Sequence, residues 1–198
     1  MKLFIKQFLN KFATNVKHID INEIEKIIVG LSKIKKNKGR IFFIGVGGSA
    51  ANATHAVNDF RKIANIECYS PSDNSSELTA RVNDEGWNSS YVEYLKVSKL
   101  SKNDCIFILS VGGGNKKYKI SENIISCIDY AKKIKSKIFG IVGPLGGYAY
   151  KKGDNVVKIK APDELITPFS ESFQILLLHL IVSSKELKEN MNKWESQK

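Results

Sequence analysis

The chain has 198 residues, of which 42% are hydrophobic, so it is long enough to bury one good core. We expect a single domain over residues 1–198, with a helical N-terminal segment at 1–37 and an α/β core at 40–198. The longest apolar run, 175–182, is far shorter than the roughly 20 residues that cross a bilayer. The N-terminus also lacks the apolar segment and cleavage site of a secretion signal. These features predict a cytoplasmic protein with no membrane partner.

The formal net charge is +11, which raises the possibility of a nucleic-acid partner. The basic residues are almost all lysines, scattered along predicted helices and turns, and there are three arginines in all. Proteins that read DNA depend on arginine for bidentate contacts with bases. We therefore expect a lysine-rich solvated surface and no nucleic-acid partner, although the positive field would favour an anionic substrate.

Three cysteines stand far apart in apolar surroundings, at Cys68, Cys105 and Cys127. Their spacing fits neither a zinc cluster nor a disulfide framework. We expect buried free thiols, which is typical of a reducing compartment.

Helical and extended patterns alternate along the chain. Apolar residues at helical spacing predict helices within 4–12 and 24–34, followed by further helices at 49–63, after 76, at 91–100 and at 121–134. A long last helix is predicted from Thr167, as N-cap, to about residue 194, with Pro168 at its first position. Short apolar or alternating runs predict five strands, at 40–45, 66–70, 104–111, 137–142 and 155–160. This order predicts a doubly wound three-layer α/β/α sandwich with a parallel five-stranded sheet and extra N-terminal helices.

Two glycine-rich turns follow predicted buried strands. The first is Gly45-Val46-Gly47-Gly48-Ser49-Ala50, and the second is Ser110-Val111-Gly112-Gly113-Gly114-Asn115. Ligands of such sheets bind outside the carboxyl ends of strands, and glycines let backbone N–H groups close on an anion. Neither turn matches the dinucleotide fingerprint or the P-loop, and either turn could be purely structural. The pair favours a small phosphorylated ligand.

Polar side chains on two predicted helices could carry chemistry. His55 and Asp59 are four residues apart on one helix face, a spacing that suits a divalent metal or proton transfer, or simply a solvated face. On the last helix, Glu171 is in the first turn, and His179 lies among leucines and could be an ordinary core histidine. Glu171 and His179 are about 12 Å apart along a continuous helix, too far to bind one metal ion from the same subunit. Either they come from different subunits, or only one of them is a ligand.

Four segments resemble one known family. The run GVGGSAANATHAVNDF (45–60) resembles the segment G-N-G-G-S-A-x-D-A-x-H-x-x-x-E of the phosphoheptose (sedoheptulose 7-phosphate) isomerases. Asn83-Asp84-Glu85-Gly86-Trp87 resembles their N-D-x-G-[YF] loop, LSVGGGN (109–115) stands where they carry L-S-T-S-G-N-S, and ESFQILLLHLIV (171–182) resembles their last helix. The segments occur in the family's order and spacing across nearly the whole chain.

The resemblance implies a sugar isomerase (SIS) fold and a homotetramer with active sites between subunits, often with bound zinc. It implies conversion of a 7-phospho-ketose to an aldose phosphate by proton transfer, which feeds bacterial surface polysaccharide. By position, Asp59 and His179 are the implied catalytic base and acid, and the implied metal ligands are His55, Asp59, Glu171 and His179. The implied substrate-binding residues are Gly47, Gly48, Ser49, Asn83, Asp84, Ser110, Gly112, Gly113 and Asn115.

The chain departs from the family pattern at several of these positions. Asp59 replaces a glutamate and is one methylene shorter, and Glu171 replaces a glutamine. Val111, Gly112 and Asn115 replace hydroxyl residues, so Ser110 is the one hydroxyl left in the second turn. Two functions remain open besides isomerisation of a phosphorylated sugar. One is a phosphosugar-sensing or replication-initiator-binding regulator of the same fold, and the other is a lyase or epimerase that uses the same acid–base pair.

Overall fold

The computed structural model describes residues 1–197 and contains one sheet of five strands in the order β2-β1-β3-β4-β5. All four neighbouring pairs are parallel, which confirms the predicted sheet. The strands are β1 (Ile41–Ile44), β2 (Cys68–Tyr69), β3 (Cys105–Ser110), β4 (Lys137–Val142) and β5 (Asn155–Lys158). The helices are α1 (Lys2–Val16), α2 (Ile21–Lys36), α3 (Gly48–Lys62), α4 (Ser75–Glu85), α5 (Trp87–Val97), α6 (Glu122–Ile134), α7 (Gly147–Lys152) and α8 (Ile166–Val182), and a 3-10 turn (Asp163–Leu165) precedes α8.

Helices cover both faces of the sheet because its central strands are apolar throughout. Every residue of β1 and β3 is buried, and successive side chains point to opposite faces. Phe43 and Phe107 pack with α2, α3 and α8 on one face, whereas Phe42 and Ile106 pack with α5 and α6 on the other. The arrangement is the predicted α/β/α sandwich.

The first helix lies outside this core. α1 buries no residue fully, and its inner face packs on α8, where the rings of Phe12 and Phe173 stack with centroids 4.4 Å apart. Its outer face leaves apolar side chains in solvent, with Phe4 64% and Leu9 60% exposed. The exposed side of α1 is therefore an apolar surface without a covering element among residues 1–197.

The last helix is shorter than its pattern predicts. It begins at Ile166 and ends at Val182, so the prediction of a helix to residue 194 is wrong. Ser183 and Ser184, which favour turns over helix interiors, follow its end. Thr167 is not the N-cap, and Pro168 lies at the third helical position. An N–H group at that position would have no hydrogen-bond partner within the helix, so proline removes no helical hydrogen bond there. The helix α7 was not predicted, and α5 begins at Trp87, four residues before its predicted start.

The segment Asp163–Val182, with a mean hydropathy of 1.6, is the one stretch of residues 1–197 that is long and apolar enough to cross a membrane. Phe169, Phe173, Leu177 and Leu178 of this segment are buried against the sheet and α3. Core packing explains its apolar composition.

All three cysteines are free and buried, as predicted. Burial raises the pKa of each thiol well above its ordinary value. The thiols are therefore protonated, unreactive core groups.

Asp104 ties the start of β3 to the start of β1. Its carboxylate accepts hydrogen bonds from the backbone N and the guanidinium of Arg40 and from the backbone N and hydroxyl of Ser101. Burial acts to raise the pKa of Asp104, but these hydrogen bonds outweigh it and lower the pKa below its ordinary value. Ionised Asp104 therefore stabilises the fold above the pKa of an unfolded aspartate, and this stability disappears as pH falls through the lower folded pKa.

Replacing Asp104 with alanine is expected to lower the free energy of unfolding by about 3 kcal/mol at neutral pH, because the Arg40 guanidinium loses its hydrogen-bonded carboxylate partner. Urea denaturation measures the change. The matched control is Asp163→Ala, at an exposed position, which should stay near the wild-type value. Equal stability of the two variants would contradict this role.

Candidate functional site

The strand order creates a crevice between the carboxyl ends of β1 and β3. The chain leaves β1 toward β2 on one side and leaves β3 toward β4 on the other, so the connecting helices diverge there. This switch point is where open α/β sheets bind their ligands. Both glycine turns predicted from the sequence follow these two strands, so the structure brings them to one crevice.

The first turn leads directly into α3. Gly47 has φ +63°, and α3 begins at Gly48. The Glu171 carboxylate lies against Gly48, and a side chain at that position would require Glu171 to move. Ser49 is buried, and its hydroxyl has no hydrogen-bond partner among the described residues. The positive end of α3 thus already faces a carboxylate of the same chain, where the sequence predicted a phosphate.

The second turn is partly buried: Gly113 and Gly114 are buried, and Asn115 is exposed. The Ser110 hydroxyl accepts a hydrogen bond of 3.0 Å from the backbone N of Gly113, so this hydroxyl shapes the turn itself. Gly113 has φ +69° and packs on the backbone of Gly146. A side chain at Gly112 would meet open space. Asn115 accepts from the backbone N of Tyr118 and closes the following loop. Gly112 is therefore the open position of this turn.

Two helices bring three polar side chains together beside the crevice. His55 and Asp59 share a face of α3, as their spacing predicts, and α8 packs on α3 so that His179 joins them. Oδ2 of Asp59 is 3.1 Å from Nε2 of His55 and 3.3 Å from Nε2 of His179. The two histidine Nε2 atoms are 2.9 Å apart. Residues 124 positions apart in sequence thus form one compact cluster.

The cluster faces solvent and has an anchored carboxylate. The side chains of His55 and His179 are 46% and 52% exposed, whereas that of Asp59 is 14% exposed. Oδ1 of Asp59 accepts a 3.0 Å hydrogen bond from the amide of Asn58. His179 is therefore an exposed residue and not the core histidine that its leucine neighbours also allowed.

The cluster fits a metal ion. The three donor atoms lie 2.9, 3.1 and 3.3 Å apart, and these distances approach the ~3.3 Å edge of a tetrahedron with bonds of ~2.0–2.1 Å. Two nitrogens and one carboxylate oxygen are also ligands that zinc accepts. An arrangement of three protein ligands that is open on one side is typical of catalytic zinc sites.

Other predicted site residues lie outside the cluster. The carboxylate of Glu171 faces Gly48, two helical turns from His179. Asn83 and Asp84 are exposed near the end of α4, where the Asn83 amide donates to the Asp84 carboxylate at 2.7 Å.

The start of α5 spans the crevice, and its residues after Trp87 were not singled out from the sequence. The Tyr91 hydroxyl donates to the Gly45 carbonyl after β1, and the Asn88 amide donates to Glu122 beyond the second turn. Trp87 begins this helix, packs on Tyr91 with ring centroids 5.6 Å apart and is 39% exposed. Trp87 belongs to the segment that resembles the N-D-x-G-[YF] loop, whereas no sequence signal identified Asn88 or Tyr91.

Comparisons with known proteins point to one family. No family model matches the chain. Phosphoheptose isomerases from Helicobacter hepaticus and Buchnera aphidicola are 29% and 26% identical to it, over 85% and 92% of each chain. The structure of phosphoheptose isomerase GmhA from Neisseria gonorrhoeae superposes with a TM-score of 0.76 at 20% identity, covering 91% of this chain and 95% of the other. The chain resembles the phosphoheptose isomerases and has their SIS fold.

The same fold also serves regulators. The NanR protein of Vibrio vulnificus, complexed with ManNAc-6P, superposes with a TM-score of 0.62 at 14% identity, covering 91% of this chain and 60% of NanR. The sugar isomerase domain of an RpiR transcription factor from Sphaerobacter thermophilus gives 0.59 at 15% identity, covering 92% and 90%. The fold alone therefore does not separate an enzyme from a sugar-phosphate sensor.

Proposed function

We propose that this chain is an aldose–ketose isomerase that acts on sedoheptulose 7-phosphate or a related phosphorylated ketose. The observation that carries the proposal is the Asp59 carboxylate held between His55 and His179 on the helix that leaves the crevice. The similarity to phosphoheptose isomerases over most of both chains supports the same reaction. In bacteria such a reaction would take place in the cytoplasm and feed surface polysaccharide synthesis.

The proposed reaction is a proton transfer between neighbouring carbons. Asp59 takes the proton from the carbon next to the carbonyl, and His179 protonates the carbonyl oxygen, which gives an enediol. Asp59 then returns its proton to the former carbonyl carbon, while His179 recovers a proton from the adjacent hydroxyl. The N–H groups of Gly113 and Asn115 are already hydrogen-bonded, so the other backbone N–H groups of the second glycine turn would hold the phosphate, with Gly112 leaving room for it.

His55, Asp59 and His179 are the proposed ligands of a divalent metal, with zinc as the first candidate. A metal bound at Nε2 of His179 would polarise the substrate carbonyl in place of a proton from that residue. Glu171 is the fourth ligand implied by the family. Because it lies about 12 Å along α8 from His179, only Glu171 of a second copy could join the other three.

We further propose a homotetramer in which a second copy completes each site. Leu176 and Leu180 flank His179 on the outer side of α8 and are 40% and 48% exposed. The outer face of α1 is apolar as well. A neighbouring subunit on these surfaces would bury them and exclude water from the catalytic cluster. Light scattering after gel filtration measures the mass, and a monomer would contradict this part of the proposal.

The alternative is a regulator that binds a sugar phosphate without converting it. The loss of hydroxyls from the second turn and the likeness to NanR and RpiR domains favour it. A panel of ketose phosphates, with detection of aldose products and analysis of bound metal, separates the two functions. Turnover supports the isomerase. A rise in melting temperature with sugar phosphates but no product, in metal-loaded protein, identifies the regulator.

A further inference from the structure

A second cleft lies at the amino ends of the strands, whereas the crevice lies at their carboxyl ends. Its volume is about 900 Å³, within the range of small-molecule sites. One wall is a stripe of α2, and the other is formed by the amino ends of β4 and β5 with the loop before β3. The lining residues are Asn22, Glu25, Lys26, Val29, Gly30, Lys33, Ile34, Asn37, Lys102, Asn103, Lys137, Phe139 and Asn155. The proposed isomerase reaction uses none of them.

The cleft floor is apolar and lies under the middle of α2. Gly30 has no side chain, so the Phe139 ring packs directly on the helix backbone there. A glycine inside a helix is less favourable than alanine by ~1 kcal/mol, and the approach of this ring explains its presence. Val29, beside it, is 43% exposed. A flat ligand could therefore cover an apolar strip between the two walls.

Positive charge is concentrated at one end of the cleft. Lys26 pairs with Glu23 at 3.0 Å, and Lys137 pairs with Asp154 at 3.2 Å. Lys33 and Lys102 form no ion pair among residues 1–197 and are exposed. Gly39 packs against the backbone of Asn103, which brings the C-terminal end of α2, with Lys33, to the loop that carries Lys102. This end can accept an anionic group.

The other end is polar without excess positive charge. Asn22, Glu25 and Asn155 line it, and amide and carboxylate groups can hydrogen-bond a nucleobase or sugar hydroxyls. Asn22 and Lys33 are about 16 Å apart along the helix axis, far more than a single phosphate spans. The ligand must be long, anionic at one end and rich in hydrogen-bonding groups at the other.

We propose that this cleft binds a nucleoside diphosphate, with the phosphates at Lys33 and Lys102 and the nucleoside along Val29 toward Asn22 and Asn155. The site is separate from the crevice because it lies at the amino ends of the strands. The proposal does not depend on the isomerase activity.

Titration calorimetry of the whole protein with ADP and GDP tests the site, with pyrophosphate and adenosine as fragments. We expect at least one nucleotide to bind more tightly than either fragment. The double variant Lys33→Glu/Lys102→Glu should weaken binding by about tenfold or more, because two charge-assisted contacts are lost. Its matched control is Lys36→Glu/Lys133→Glu, at two exposed lysines outside the cleft with the same change in net charge, and should bind like wild type.

Several results would overturn the site. One is no binding of either nucleotide, and another is equal weakening in both double variants, which marks non-specific attraction to a basic protein. If pyrophosphate bound as tightly as the nucleotides, a nucleoside subsite would be excluded. Competition by sedoheptulose 7-phosphate, or loss of binding in Asp59→Asn, would place the nucleotide in the crevice. Melting curves without ligand verify that each variant is folded.

Discussion

Replacing Asp59 with asparagine is expected to reduce kcat for ketose phosphate isomerisation by about 10²- to 10⁴-fold. The amide keeps the size of the side chain but cannot take a proton from carbon. It also replaces the anionic oxygen that lies 3.1 and 3.3 Å from the two histidine nitrogens, so bound metal should fall as well. Product formation and metal content are measured on the same preparations.

Two further variants keep the Asp59 experiment interpretable. Asp59→Glu retains the carboxylate and should convert substrate at least about tenfold faster than Asp59→Asn. Glu186→Gln removes an exposed carboxylate beyond the end of α8 and should behave as wild type. If Asp59→Asn isomerised the substrate at the wild-type rate, the assignment of Asp59 as the base would fail.

The second glycine turn offers a pair of substitutions with opposite expected effects. Alanine at Gly113 is expected to lower the free energy of unfolding by about 2–4 kcal/mol, because φ is +69° and the new Cβ would strike the backbone of Gly146. Alanine at Gly112 meets open space and should change stability by less than about 1 kcal/mol. Its methyl group would instead occupy the open space beside the turn, where the phosphate is proposed to bind. We expect KM to rise by roughly tenfold, which corresponds to the loss of about one hydrogen bond to the substrate.

Urea denaturation and steady-state kinetics separate the two effects. Each variant serves as the control for the other, since both add one methyl group to adjacent positions. A Gly112→Ala enzyme with unchanged KM would show that the phosphate does not approach this turn. A Gly113→Ala protein as stable as wild type would remove the argument from backbone strain.

The sheet was predictable because its buried strands are continuous runs of apolar residues. The apolar runs at β1, β3 and β4 allow few alternatives to covered parallel strands. The end of α8 was not predictable from periodicity, because apolar residues recur beyond it at Leu187, Met191 and Trp194. Leu187 is buried although it lies in a turn. The helix α7, six residues long, was too short to produce a periodic signal.

The site was predictable in composition but not in arrangement. Helical spacing alone places His55 beside Asp59. No sequence pattern predicts that α8 packs on α3 so that His179 contacts both His55 and Asp59, since that contact depends on how the two helices pack. The position of the Glu171 carboxylate at Gly48 is equally a result of packing, and it separates two residues that the family pattern groups as ligands.

The cluster formed by α3 and α8 also constrains when the protein can become active. His179 joins His55 and Asp59 only after the chain has been synthesised beyond β5 and α8 has docked on α3. A nascent chain with all of β1 to β4 in place would hold two of the three side chains and no complete site. Any metal bound by the three residues would stabilise the docked helix, so loading and the final folding step are thermodynamically linked. The proposed catalytic cluster is thus complete only in chains that have been synthesised through α8.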